Sequence, residues 1–88
     1  MSDIAIKSFL VREILDSVTQ IVPDRGSRDA IQMINIGSGT IYLGGPNVAG
    51  TAGWPLAPGA DFSDSHSRDA WYGIAATGTV NLFIIEYL

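Results

Sequence analysis

The residues whose types could do chemistry gather in one polar run, Asp61-Phe62-Ser63-Asp64-Ser65-His66-Ser67-Arg68-Asp69, which holds the single histidine of the chain. A hydrolytic triad needs a nucleophile, a base and an orienting acid brought together on a rigid scaffold. Here serine, His66 and aspartate are neighbours in one loop, with no Gly-x-Ser-x-Gly elbow and no separate oxyanion motif. Catalysis is therefore not expected. Asp61, Asp64, His66 and Asp69 could also act as ligands for a weak surface calcium ion. Their spacing lacks the alternating acidic positions and late glutamate of an EF-hand, and a solvated turn capped by Asp and Ser accounts for the same residues. No metal or cofactor is expected.

Two glycine pairs, Gly37-Ser38-Gly39 and Gly44-Gly45, raise the question of phosphate binding. Neither is followed by Lys-Ser/Thr or by a helical pattern, so tight turns explain them. Four aromatic residues, Trp54, Trp71, Tyr42 and Tyr72, could stack on sugar rings. Trp54, in Ala52-Gly53-Trp54-Pro55, reads as a loop residue and is the better candidate. Its alternatives are to anchor that loop or to pack on a neighbouring subunit.

Gly and Pro punctuation cuts the chain into short β-rich runs that would position these residues. The first covers residues 4–11, as strand or extended arm; a helical turn over residues 9–15 also fits the spacing of Phe9, Leu10, Glu13 and Ile14. Thr19 to Val22 follows and stops at Pro23, which cannot donate to a ladder. Residues 30–36 and 40–43, joined through Gly37-Ser38-Gly39, read as a hairpin. A second hairpin is expected from residues 71–75 through Thr77-Gly78 into residues 79–87. Short strand fragments and wide loops fill residues 44–59. Asp24, Ser27-Arg28-Asp29-Ala30 and Ile34 recur as Asp64, Ser67-Arg68-Asp69-Ala70 and Ile74, a repeated polar turn ahead of a strand. Strands and turns at this spacing predict an all-β domain, a small β-sandwich or jelly roll of seven to eight short strands. Residues 1–17 form its arm or first strand and residues 18–88 its body.

Composition limits what such a domain can do. Its 88 residues contain no cysteine, so neither a disulfide nor a thiolate zinc site can reinforce a small core. Hydrophobic residues make up 47% and charged ones 16%, more apolar surface than so short a chain readily hides. Subunit contacts are the expected cover. With five basic residues and a net charge of −4, the chain has no electrostatic footprint for nucleic acid. No apolar run reaches the roughly 20 residues that span a bilayer, and Met1-Ser2-Asp3 does not begin a signal peptide. A soluble protein made in a cytosol is expected. The last strand is apolar on both sides, with Val80, Leu82 and Ile84 on one face and Phe83, Ile85 and Tyr87 on the other. One face fills the core; the second needs a partner subunit, the N-terminal arm or cover from within the chain.

The run Ile34-Asn35-Ile36-Gly37-Ser38-Gly39-Thr40-Ile41-Tyr42-Leu43-Gly44 resembles small virion proteins of tailed bacteriophages. In that pattern an Asn and a small-residue turn lead into a Thr-Val/Ile-Tyr-Leu-Gly strand. A Leu-x-Pro-Gly turn follows, matched by Leu56-Ala57-Pro58-Gly59, and then a Trp/Tyr-Gly-Ile-Ala-Ala-x-Gly-Thr segment, matched from Trp71 to Thr79. Thr19 to Pro23 fits as well, so the likeness covers about three quarters of the chain; residues up to Ser17 have no counterpart.

The resemblance implies a structural part of a capsid or tail and brings no catalytic residues. The resulting expectation is a capsid decoration (cement) protein, made in the bacterial host cytoplasm, that binds the outer surface of the phage head as a homo-oligomer, a trimer, against the major capsid protein. Ile4, Ile6, Phe9, Phe83, Ile85 and Tyr87 are the candidate subunit contacts. Trp54 and Tyr42 are the candidate capsid-facing contacts. A head-to-tail connector, head fibre base or tail-associated protein is the alternative, and a carbohydrate-binding module using Trp54 and Tyr42 is a third reading.

Overall fold

Period-two alternation decides which side chains point inward. In the last strand Val80, Leu82, Ile84 and Glu86 are buried, while Asn81, Phe83, Ile85 and Tyr87 face outward. The computed structural model describes residues 7–49, 52–65 and 68–88. Ile4, Ile6, His66 and Ser67, singled out above, lie outside the described residues.

Eight strands form: β1 (Lys7–Ile14), β2 (Thr19–Val22), β3 (Ala30–Asn35), β4 (Ile41–Gly44), β5 (Trp54–Leu56), β6 (Asp61–Asp64), β7 (Trp71–Ala75) and β8 (Val80–Tyr87). They make two four-stranded sheets, in the orders β1-β8-β3-β6 and β2-β7-β4-β5, with every pairing antiparallel. This alternation of strands between facing sheets is the jelly-roll form of the β-sandwich. Residues 9–14 take the extended form and not the helical turn, because β1 lies in unbroken register with β8 from Lys7↔Tyr87 to Ile14↔Val80. Trp54 starts a short strand, β5, where a loop was expected.

The core lies between the sheets. Ile14, Ile31, Met33, Leu82 and Ile84 from one side meet Ile21, Ile41, Leu43 and Leu56 from the other, all essentially inaccessible to water. Apolar burial of this kind is the main source of stability for so small a domain.

The two expected hairpins are not hairpins. β3 pairs with β8 and β6, whereas β4 pairs with β7 and β5, so the glycine-rich link crosses from one sheet to the other. The β7–β8 link does the same in reverse. Asn35 explains the first crossing. Its buried amide donates to the carbonyls of Gly39 (2.7 Å) and Leu56 (2.8 Å), and its Oδ1 accepts from the Gly37 amide (2.9 Å). One side chain thereby satisfies backbone groups that a two-stranded ladder would have paired. Gly37 lies so close to β8 that a Cβ there would sit 2.5 Å from Val80 Cγ1, which only glycine avoids.

Past β5 the chain reverses at Ala57-Pro58-Gly59-Ala60. The Ala60 amide donates to the Ala57 carbonyl (2.9 Å), and Gly59 has φ +81°, which suits a type II turn with Pro and Gly at its centre.

One ionic cluster is sealed inside this shell. Arg28 is buried; its Nε donates to Glu86 Oε2 (3.0 Å), Nη1 to the Asp69 carbonyl (2.9 Å) and Nη2 to the Pro23 carbonyl (2.6 Å). Arg68 Nε donates to the Arg28 carbonyl (3.1 Å), and the Arg25 amide to the Arg68 carbonyl (2.8 Å). Arg28 and the Arg68-Asp69 pair, which stand at equivalent places in the two sequence copies, therefore meet just ahead of β3 and β7.

Candidate interaction surface

The outer face of the β1-β8-β3-β6 sheet is apolar across its middle. Register places Lys7, Tyr87 and Ala30 in one row, then Phe9, Ile85, Gln32 and Ser63. A third row holds Val11, Phe83, Ile34 and Asp61, and Glu13 lies beside Asn81 at the far end. Phe9 is 61% exposed and Val11 54%, while Phe83, Ile85 and Tyr87 are half-buried by their neighbours. The Phe9 and Phe83 rings stack at 6.1 Å between centroids, and Lys7 Nζ lies 5.6 Å from the Tyr87 ring centre. Of the candidate subunit contacts, Phe9, Phe83, Ile85 and Tyr87 thus share one continuous surface.

An apolar sheet face open to water is unusual for a soluble monomer. Among the described residues, no group of three or more His, Cys, Asp or Glu side chains is arranged to hold a metal ion. No helix of the described chain is long and apolar enough to cross a membrane.

The structure separates the two proposed capsid-facing aromatics. Tyr42 pairs with Pro55, and Trp54 with Leu43, so successive residues point to opposite faces of their sheet. Tyr42 lies on the outer face. Trp54, 60% exposed, begins an aromatic file along the open edge of the sandwich, 5.9 Å from Phe62, which is itself 5.3 Å from Trp71. Trp71 Nε1 is buried there without a hydrogen-bond partner. Trp54 and Tyr42 therefore do not form one stacking platform.

The fold has solved counterparts. The chain is similar to apo-HppE, with a TM-score of 0.60 and 17% identity over 92% of this chain; it spans only 41% of that one. It is also similar to a protein of Bacillus endospore appendages, which form a family of disulfide-linked pili, with a TM-score of 0.52 and 19% identity over 97% of this chain and 88% of that one. Neither a family model nor a curated protein sequence matches the chain. At such identities the likeness is one of fold.

Sequence reasoning missed that Arg28 and Glu86 pair inside the sandwich, behind this face. Glu86 falls in the inward phase of β8 with Val80, Leu82 and Ile84. A carboxylate at a core position calls for a buried cation, and that was the available signal.

Proposed function

We propose that this protein is a non-enzymatic structural component of a tailed-phage virion, a decoration protein on the outside of the head. The observation that carries this reading is the open apolar face built by Phe9, Val11, Ile34, Phe83 and Ile85. Such a face suits permanent contact with other protein, and the sequence pattern from Ile34 to Thr79 resembles that of small virion proteins. Jelly rolls recur in viral capsids, although lectins and cupins share them, so the fold supports the reading only by analogy.

The mechanism is mechanical. A protein that binds the assembled shell, and not its separated subunits, stabilises the shell by mass action. Of the structural neighbours, the spore appendage protein is one that assembles. Its disulfide linkage has no equivalent in a chain without cysteine, so assembly here rests on non-covalent contacts.

Quantifying the protein in purified particles, by mass spectrometry against the major capsid protein and by image reconstruction, tests this. Copies spread over the head support decoration, whereas a few copies at one vertex or on the tail indicate a connector, fibre or tail component.

Trp54 supports a second reading. Its exposed indole at the head of the Trp54–Phe62–Trp71 file could stack on a sugar ring. Glycan binding that Trp54→Ala abolishes would favour that reading.

A further inference from the structure

We propose that β1 pairs edge to edge with β1 of a second copy of this chain, antiparallel about a two-fold axis through Leu10. Strand β1 ends its sheet, and among the described residues no strand pairs with its second edge. Alternate backbone amides and carbonyls along that edge are therefore left without ladder partners.

The other three edges are blunted in ways that discourage strand addition. β2 has four residues and a register shift between Gln20 and Val22. β5 has three residues, one of them Pro55. β6 has four residues, with Asp61 and Asp64 at its ends. β1 carries charges too, Lys7, Arg12 and Glu13, but it is at least twice as long as any of these edges. It runs for eight residues without Pro, Gly or bulge, and Phe9, Leu10 and Val11 along it are exposed.

Its sequence also matches itself. In an antiparallel pair centred on Leu10, Lys7 faces Glu13 of the second copy, Ser8 faces Arg12, Phe9 faces Val11, and the two Leu10 side chains meet on the axis. Lys7, Phe9, Val11 and Glu13 all lie on the outer face, so charge meets opposite charge and apolar meets apolar there. The product is one sheet of eight strands whose open apolar face continues across both subunits. This contact is isologous and closes as a dimer. It does not generate the trimer expected from the sequence.

The test uses the purified full chain and is independent of any virion role. Sedimentation equilibrium should give a dimer mass. Because the chain has no cysteine, Leu10→Cys should cross-link into a covalent dimer under mild oxidation, since cross-strand Cα atoms lie within the disulfide range of about 4.4–6.8 Å. Ser8→Cys, which faces Arg12 of the other copy, should not. Lys7→Glu or Glu13→Lys alone should weaken the dimer roughly tenfold, because each places two like-charge pairs across the axis, and the double reversal should restore it. Circular dichroism confirms that each variant is folded. A monomer at millimolar concentration, a trimer, equal cross-linking of Ser8→Cys, or a double reversal no tighter than the single ones would each overturn the proposal.

Discussion

Arg28 shows how a charged residue becomes structural. Its guanidinium spans Glu86, the Asp69 carbonyl and the Pro23 carbonyl, holding the ends of three chain segments around one planar group. Arg25 approaches the same Glu86 oxygen at 3.6 Å from a more exposed position. Removing one partner of a buried ion pair costs about 3–5 kcal/mol because the other charge stays buried alone. Arg28→Ala should therefore lower unfolding stability by about 3 kcal/mol in urea titrations, the low end of that range, since Arg25 remains beside Glu86. Arg25→Ala, which loses a half-exposed contact, should cost less than about 1 kcal/mol. Equal costs for the two variants would contradict this assignment. From sequence alone Arg28 reads as one arginine in a polar Ser-Arg-Asp turn, because burial of its side chain depends on Asp69 and Glu86, residues distant in the chain.

At the scale of elements, the strands were legible and their partners were not. Alternation and Gly/Pro punctuation place β2, β3, β7 and β8 within a residue or so of where they form, and the inward phase of Val80, Leu82 and Ile84 follows from period two. A Gly-containing link of three to five residues, however, serves a hairpin and a sheet-to-sheet arch equally well. The distinction lies in Asn35, whose amide hydrogen bonds carry the chain across the sandwich. Asn35→Ala, which leaves the Gly39 and Leu56 carbonyls and the Gly37 amide without this partner, should destabilise the domain by about 2–3 kcal/mol. Gly37→Ala should cost about 1–3 kcal/mol, because the added methyl forces Val80 or the start of β8 to move. Thermal denaturation followed by circular dichroism reads both, and an unchanged midpoint for either would show that the arch is not held in this way.

For the molecule as a whole, the open face of the β1-β8-β3-β6 sheet is the feature a monomer leaves unexplained. The apolar composition and the two-sided last strand pointed to it, and Phe9, Phe83, Ile85 and Tyr87 were expected from the sequence as subunit contacts; that Phe9 shares their surface follows from the β1–β8 register. What the sequence could not give was the edge position of β1, since strand order depends on long-range pairing. Phe9→Lys should leave stability nearly unchanged, within about 1 kcal/mol, because the ring is mostly exposed and loses chiefly its stacking on Phe83. The same variant should bind particles measurably less well in co-sedimentation with shells stripped of the native protein. A large loss of stability with binding intact would assign this face to the core instead of to a partner. The proposed place of the protein on the phage head is tested most directly by its copy number and position on purified particles. A number comparable to that of the major capsid protein, distributed over the outer surface, is the expected result. Its absence from the head, or confinement to a single vertex, would contradict the account.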